Sequence, residues 1–150
     1  MSKTEAIATR SSVALTTAPP VMVPPAQIFS NLVGHPANQH RRLAALFRYL
    51  CWQVSKRLSG RPWDIPYHGL TLRCHSDSNS ASGAVYFDGL PDYREMLFIK
   101  RYLRPGDSFL DVGANVGVYS LLAAALVGAA GTVHAFEPGE MAANRLAENI

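Results

Sequence analysis

The run Phe109-Leu110-Asp111-Val112-Gly113-Ala114-Asn115-Val116-Gly117 sets a carboxylate at the end of a short apolar stretch and follows it with a turn of small residues. Gly113 and Gly117 let the backbone turn sharply and approach a ligand with no Cβ in the way. Asn115, between them, is one of the few other residues that tolerate left-handed backbone angles. About 20 residues on, a second apolar stretch, Thr132-Val133-His134-Ala135-Phe136, ends in Glu137-Pro138. An acidic residue at that distance suits the two hydroxyls of a ribose, and such charge-assisted hydrogen bonds are roughly twice as strong as neutral ones. The chemistry these residues could do is recognition of an adenosine-containing cofactor at the ends of two parallel strands.

The glycine spacing narrows the cofactor. The G-x-G-x-x-G dinucleotide fingerprint is absent, because Gly113 is followed by Ala114, Asn115 and Val116 before Gly117. A pyrophosphate wants that spacing and a helix N-terminus with no carboxylate beside it. Asp111 ahead of the turn better suits a ligand with a positive group. S-adenosylmethionine carries a sulfonium and an ammonium and has no phosphate. An NAD-type oxidoreductase is the alternative, and the missing third glycine weighs against it.

With Tyr119-Ser120 after the turn and Ala135-Phe136-Glu137-Pro138 at the second strand, these residues resemble the FkbM-type S-adenosylmethionine-dependent methyltransferases. The lead-in Arg104-Pro105-Gly106-Asp107 and the closing Leu146-Ala147-Glu148-Asn149-Ile150 are similar to that family too. The resemblance covers about Gly89 to Ile150. It implies a class I methyltransferase fold, a Rossmann-like parallel sheet, and methyl transfer to a hydroxyl oxygen of a sugar, polyketide or similar small molecule. It further implies that Asp111, Gly113, Ala114, Asn115 and Gly117 line the methionine and sugar side of the cofactor. Glu137 would hold the ribose, and Phe136 and Pro138 would border the adenine.

Structural roles compete for the same residues. Asp111 can cap the turn, Gly113 and Gly117 can serve close packing, and Glu137 can cap the helix that follows. Glu95 either reaches the cofactor pocket or completes a capping box with Asp92. A doubly wound sheet needs further βα units of roughly 30 residues each, and those would carry the acceptor pocket and the catalytic base. No catalytic residue is therefore assigned. The chain reads as the N-terminal half of an α/β enzyme, completed by a missing C-terminal half or a partner chain, with a non-catalytic remnant or interaction module as a further alternative.

The elements that position these residues follow from pattern. Residues 1–37 are rich in Ala, Ser, Thr and Pro and read as a disordered tail. Residues 38–60 hold a basic amphipathic helix in which Leu43, Phe47, Leu50, Val54 and Leu58 share one face. It is expected to pack that face beside the main domain, although such a helix could also lie on a membrane or dock a partner helix. Residues 61–90 read as a small β leader, with strands at Gly69–Cys74 and Ala84–Phe87. From 91 to 150 a helix with Met96, Ile99 and Leu103 inward precedes strand 108–112, a helix to Val127, strand 132–136 and a last helix. In the last helix Met141, Leu146 and Ile150 are expected to face inward. The unbroken apolar run of the first of these strands predicts a parallel sheet covered on both faces.

Composition is that of an ordinary globular chain of 150 residues, with a formal net charge of +3. No acidic residue lies between Glu5 and Asp64, whereas Arg41, Arg42, Arg48, Lys56, Arg57 and Arg61 do. The bland reading is a solvated helix face, and no nucleic-acid partner is expected. Cys51 and Cys74 form no C-x-x-C pair and are expected to be reduced thiols, with no metal site. No secretory h-region or membrane-spanning run is visible, so a cytoplasmic protein is expected.

Overall fold

The computed structural model describes residues 30, 33–58, 61–75, 85 and 89–150. Helix α1 (Arg42–Leu58) leads into a hairpin of β1 (Trp63–Tyr67) and β2 (Leu70–Cys74). Helix α2 (Tyr93–Tyr102), strand β3 (Ser108–Val112), helix α3 (Val118–Val127), strand β4 (Thr132–Phe136) and helix α4 (Glu140–Asn149) follow. Among the described residues the result is a mixed α/β arrangement with two separate two-stranded sheets, one antiparallel and one parallel.

The hairpin pairs Trp63 with Cys74 through to Tyr67 with Leu70, closed by His68-Gly69. Both turn residues have positive φ, 51° and 86°, the conformation a two-residue type I′ turn requires. The expected strand at 69–74 is present, but its partner is Trp63–Tyr67. Pro66 hides that partner in the sequence, because proline marks a non-strand or an edge position. Of the strand expected at Ala84–Phe87 only Val85 is described, and its backbone is helical with its carbonyl accepting from the Gly89 N–H at 2.7 Å.

Strands β3 and β4 pair in parallel, Ser108 opposite Thr132 and Val112 opposite Phe136. Phe109 and Val133 pack towards Leu103, Ala123 and Val127. The intervening Leu110, Val112 and Phe136 are exposed. Coverage on both faces is therefore not what is observed: burial alternates along each strand, because α2 and α3 pack on one side only. The main core joins α1, the hairpin, α2 and α3 through Trp52, Tyr67, Leu72, Met96, Val116 and Leu122.

Three helix faces test the periodicity argument. In α2, Met96 and Leu103 are buried and Ile99 is packed against the core, as the spacing predicts. In α4, Leu146 is buried but Met141 and Ile150 are exposed, and Asn149 takes the inward place. In α1 the expected inward stripe is reversed. Leu43, Phe47, Leu50, Val54 and Leu58 are all exposed, while Ala45 and Trp52 are buried. Trp52 meets Trp63 edge-on at 6.0 Å and fills the core next to the hairpin.

Residues 1–29, 31 and 32 of the expected tail lie outside the described residues. Ahead of α1, however, Pro36–Asn38 forms a 3-10 turn, Asn38 is buried, and the His35 ring nitrogen bonds the Pro91 carbonyl at 3.2 Å.

Candidate functional site

The turn between β3 and α3 is tied to the end of β4. The N–H groups of Gly113 and Ala114 both donate to the Phe136 carbonyl, at 2.8 and 3.0 Å. Gly113, Asn115 and Gly117 have φ of 83°, 51° and 90°, so the left-handed angles expected from the residue types are all used. A Cβ at Gly113 would meet nothing within 4 Å, whereas one at Gly117 would come within 2.8 Å of Leu146 Cδ1. Gly113 therefore fronts open space and Gly117 serves close packing against α4.

The two carboxylates sit at the ends of adjacent strands, as the sequence predicts. Both are half-buried. Asp111 accepts a hydrogen bond from the Ser120 hydroxyl at 2.6 Å. Glu137 accepts from the Asn115 N–H and from the Gly139 N–H, each at 2.8 Å. One carboxylate oxygen of Glu137 thus braces the β3–α3 turn and the other braces the entry to α4. The Gly139 N–H belongs to the residue ahead of α4, so Glu137 braces the entry to that helix without capping its first-turn amides. An ionised carboxylate has about four acceptor positions, so both oxygens keep room for a ligand hydroxyl.

Exposure separates the remaining candidates. Gly113, Asn115, Phe136 and Pro138 are exposed at the rim, while Ala114 and Gly117 are buried beneath it. These last two pack beneath the turn. Ser120 has no role assigned from its type in the sequence, yet its hydroxyl holds Asp111 in place. Its position on the first turn of α3, directly after the glycines, is the signal that could have found it.

A second polar cluster lies on the helical side. The Tyr119 hydroxyl donates to Asp92 at 3.0 Å. The capping box expected of Asp92 and Glu95 is therefore absent, since Asp92 makes no side-chain bond to the helix backbone. Burial, then the Asp92 hydrogen bond and charge and the charge of Glu95, push the Tyr119 hydroxyl well above its usual range. Tyr67 is buried with no hydrogen-bond partner for its hydroxyl among the described residues, and burial raises its pKa likewise. A groove of about 370 Å³ opens between the hairpin, α3, β4 and α4, lined by Thr71, Ser120, Ala135 and Asn149. It does not include Gly113, Asn115 or Glu137. Among the described residues, no group of three His, Cys, Asp or Glu side chains comes together as a metal site, and Cys51 and Cys74 are not joined in a disulfide.

No protein-family model, curated protein or solved structure matches the chain. No described helix is long and apolar enough to cross a membrane. What fold and site define is an α/β protein with two acidic residues at the carboxyl ends of adjacent parallel strands, which is where open α/β sheets bind their ligands.

Proposed function

We propose that the chain carries the cofactor-binding half of a cytoplasmic S-adenosylmethionine-dependent methyltransferase that methylates a hydroxyl oxygen of a small molecule. The observation that supports this most directly is the joint placement of Asp111, Gly113 and Glu137. Two half-buried carboxylates flank a turn whose exposed glycine has nothing in front of it. That arrangement fits a ligand with a ribose diol and a positive group, and it offers no glycine-rich cradle for a pyrophosphate.

In this reading Glu137 holds the ribose hydroxyls, Asp111 faces the positively charged amino-acid end, and Phe136 with Pro138 borders the base. Bound there, S-adenosylmethionine would supply an electrophilic methyl group on its sulfonium. The residues of this chain contribute orientation, the main source of rate in a displacement between two positioned reactants. The acceptor pocket and the base belong to further strands, from the same protein or from a partner chain. The bare outer face of β3 and β4 supports that completion, because parallel strands are covered on both sides in finished sheets.

Calorimetric titration with S-adenosylmethionine, S-adenosylhomocysteine and NAD tests the proposal. Binding of the first two, weakened roughly ten- to hundred-fold by Glu137→Gln, is the expected result. Tighter binding of NAD would favour the oxidoreductase reading, and no binding of any of the three would favour a non-catalytic module.

A further inference from the structure

The outer face of α1 is left without a partner by everything described of the fold. Leu43, Phe47, Leu50, Val54 and Leu58 recur at four- and three-residue steps and are 83%, 68%, 61%, 54% and 81% exposed. The opposite side of the same helix is already committed, with Ala45 and Trp52 buried. Contiguous apolar patches of this kind mark interaction sites on soluble domains.

Charge decides what covers it. Arg41, Arg42, Arg57 and Arg61 are exposed at the two ends of the helix, and no acidic residue lies between Glu5 and Asp64. A second copy of the chain would meet this stripe with the same stripe. In an antiparallel pair Arg42 of one copy would approach Arg57 of the other, with no carboxylate on either helix to offset them. An anionic surface has the opposite sign and no such conflict. Length agrees, since 17 residues make a helix of about 25 Å that lies flat on a bilayer without crossing it.

We propose that the exposed apolar stripe of α1, with the arginines at its ends, is a binding surface for an anionic lipid bilayer. The apolar side chains enter the boundary between headgroups and acyl chains, and the arginines remain at the level of the phosphates. The folded domain, held by Trp52 and Ala45 on the far side of α1, then stands on the aqueous side. This inference goes beyond the methyltransferase reading and does not depend on it.

The test is flotation of the full chain with vesicles of phosphatidylcholine alone, or of phosphatidylcholine and phosphatidylserine at roughly 3:1. Binding is expected to the anionic vesicles and to fall steeply as salt rises from about 0.1 to 1 M. Arg42→Gln and Arg57→Gln should each weaken it roughly five-fold, and Phe47→Asp or Leu50→Asp should abolish it. All four positions are exposed, and an unchanged far-UV circular dichroism spectrum confirms that the variants fold. Equal binding to neutral vesicles, or binding that Phe47→Asp leaves intact, would overturn the proposal. So would absence of binding to the anionic vesicles, and a dimer, seen by sedimentation equilibrium, that Phe47→Asp dissolves would then give the stripe to a second copy.

Discussion

Glu137 is used twice, by the Asn115 and Gly139 amides, so its loss should be felt in structure as well as in binding. Gly117 shows the same coupling. Its φ of 90° and the nearness of Leu146 Cδ1 both exclude a side chain. Gly117→Ala should therefore cost about 1–3 kcal/mol of stability, measured by urea denaturation, while Gly113→Ala meets only the backbone part of that cost. Tyr67 offers the reverse case. Its buried hydroxyl has no partner among the described residues, so Tyr67→Phe should leave stability unchanged or raise it by about 1 kcal/mol. Its pKa, like that of Tyr119, is raised in the folded chain. A raised pKa means that the fold favours the protonated phenol. That stability is present below about pH 10, the unfolded value, and is lost as pH rises through the folded values. Thermal melts of Tyr67→Phe should accordingly lose less stability above pH 10 than the parent does.

At the scale of elements, Asn149 joins three of them. Its side chain accepts from the Arg73 N–H at 2.8 Å and donates to the Val116 carbonyl at 2.8 Å, linking α4 to β2 and to the residues before α3. Asn149→Ala strands a buried carbonyl and should cost about 2–3 kcal/mol, seen as a lower urea midpoint with an unchanged slope. The hairpin carries a second device. Arg73 grips Asp64 with two hydrogen bonds of 2.8 and 3.0 Å, and that contact holds the Asp64 carboxyl below its usual range. A depressed carboxylate contributes stability above its unfolded pKa of about 3.9 and loses it as pH falls through the folded value. Asp64→Asn should remove that acid dependence with little effect at neutral pH, because both partners are exposed. Melting curves between about pH 2 and 7 would show it.

For the whole molecule, the decisive feature is a parallel sheet clothed on one side. Leu110, Val112 and Phe136 are 62%, 76% and 55% exposed, and among the described residues each strand pairs on one edge only. Such a surface promotes association. The 150-residue chain should scatter light increasingly with concentration, and Val112→Lys should suppress this while changing stability by less than about 0.5 kcal/mol. An unchanged scattering profile would mean that this face is not the sticky one.

What the sequence determined by itself is local. The βαβα order from β3 to α4, the three left-handed positions at Gly113, Asn115 and Gly117, and the carboxylates at the strand ends were all legible, because backbone preference and period act over a few residues. The tertiary structure decided which faces are inside. Periodicity shows that Leu43, Phe47, Leu50, Val54 and Leu58 share a face, but not that Trp52 on the other side would win the core. It equally could not show that Asn149 would displace Ile150 inward, because a buried amide is stable only where two distant backbone groups wait for it. Partners of that kind are fixed by packing across 33 and 76 residues of chain, a separation over which local preference carries no information.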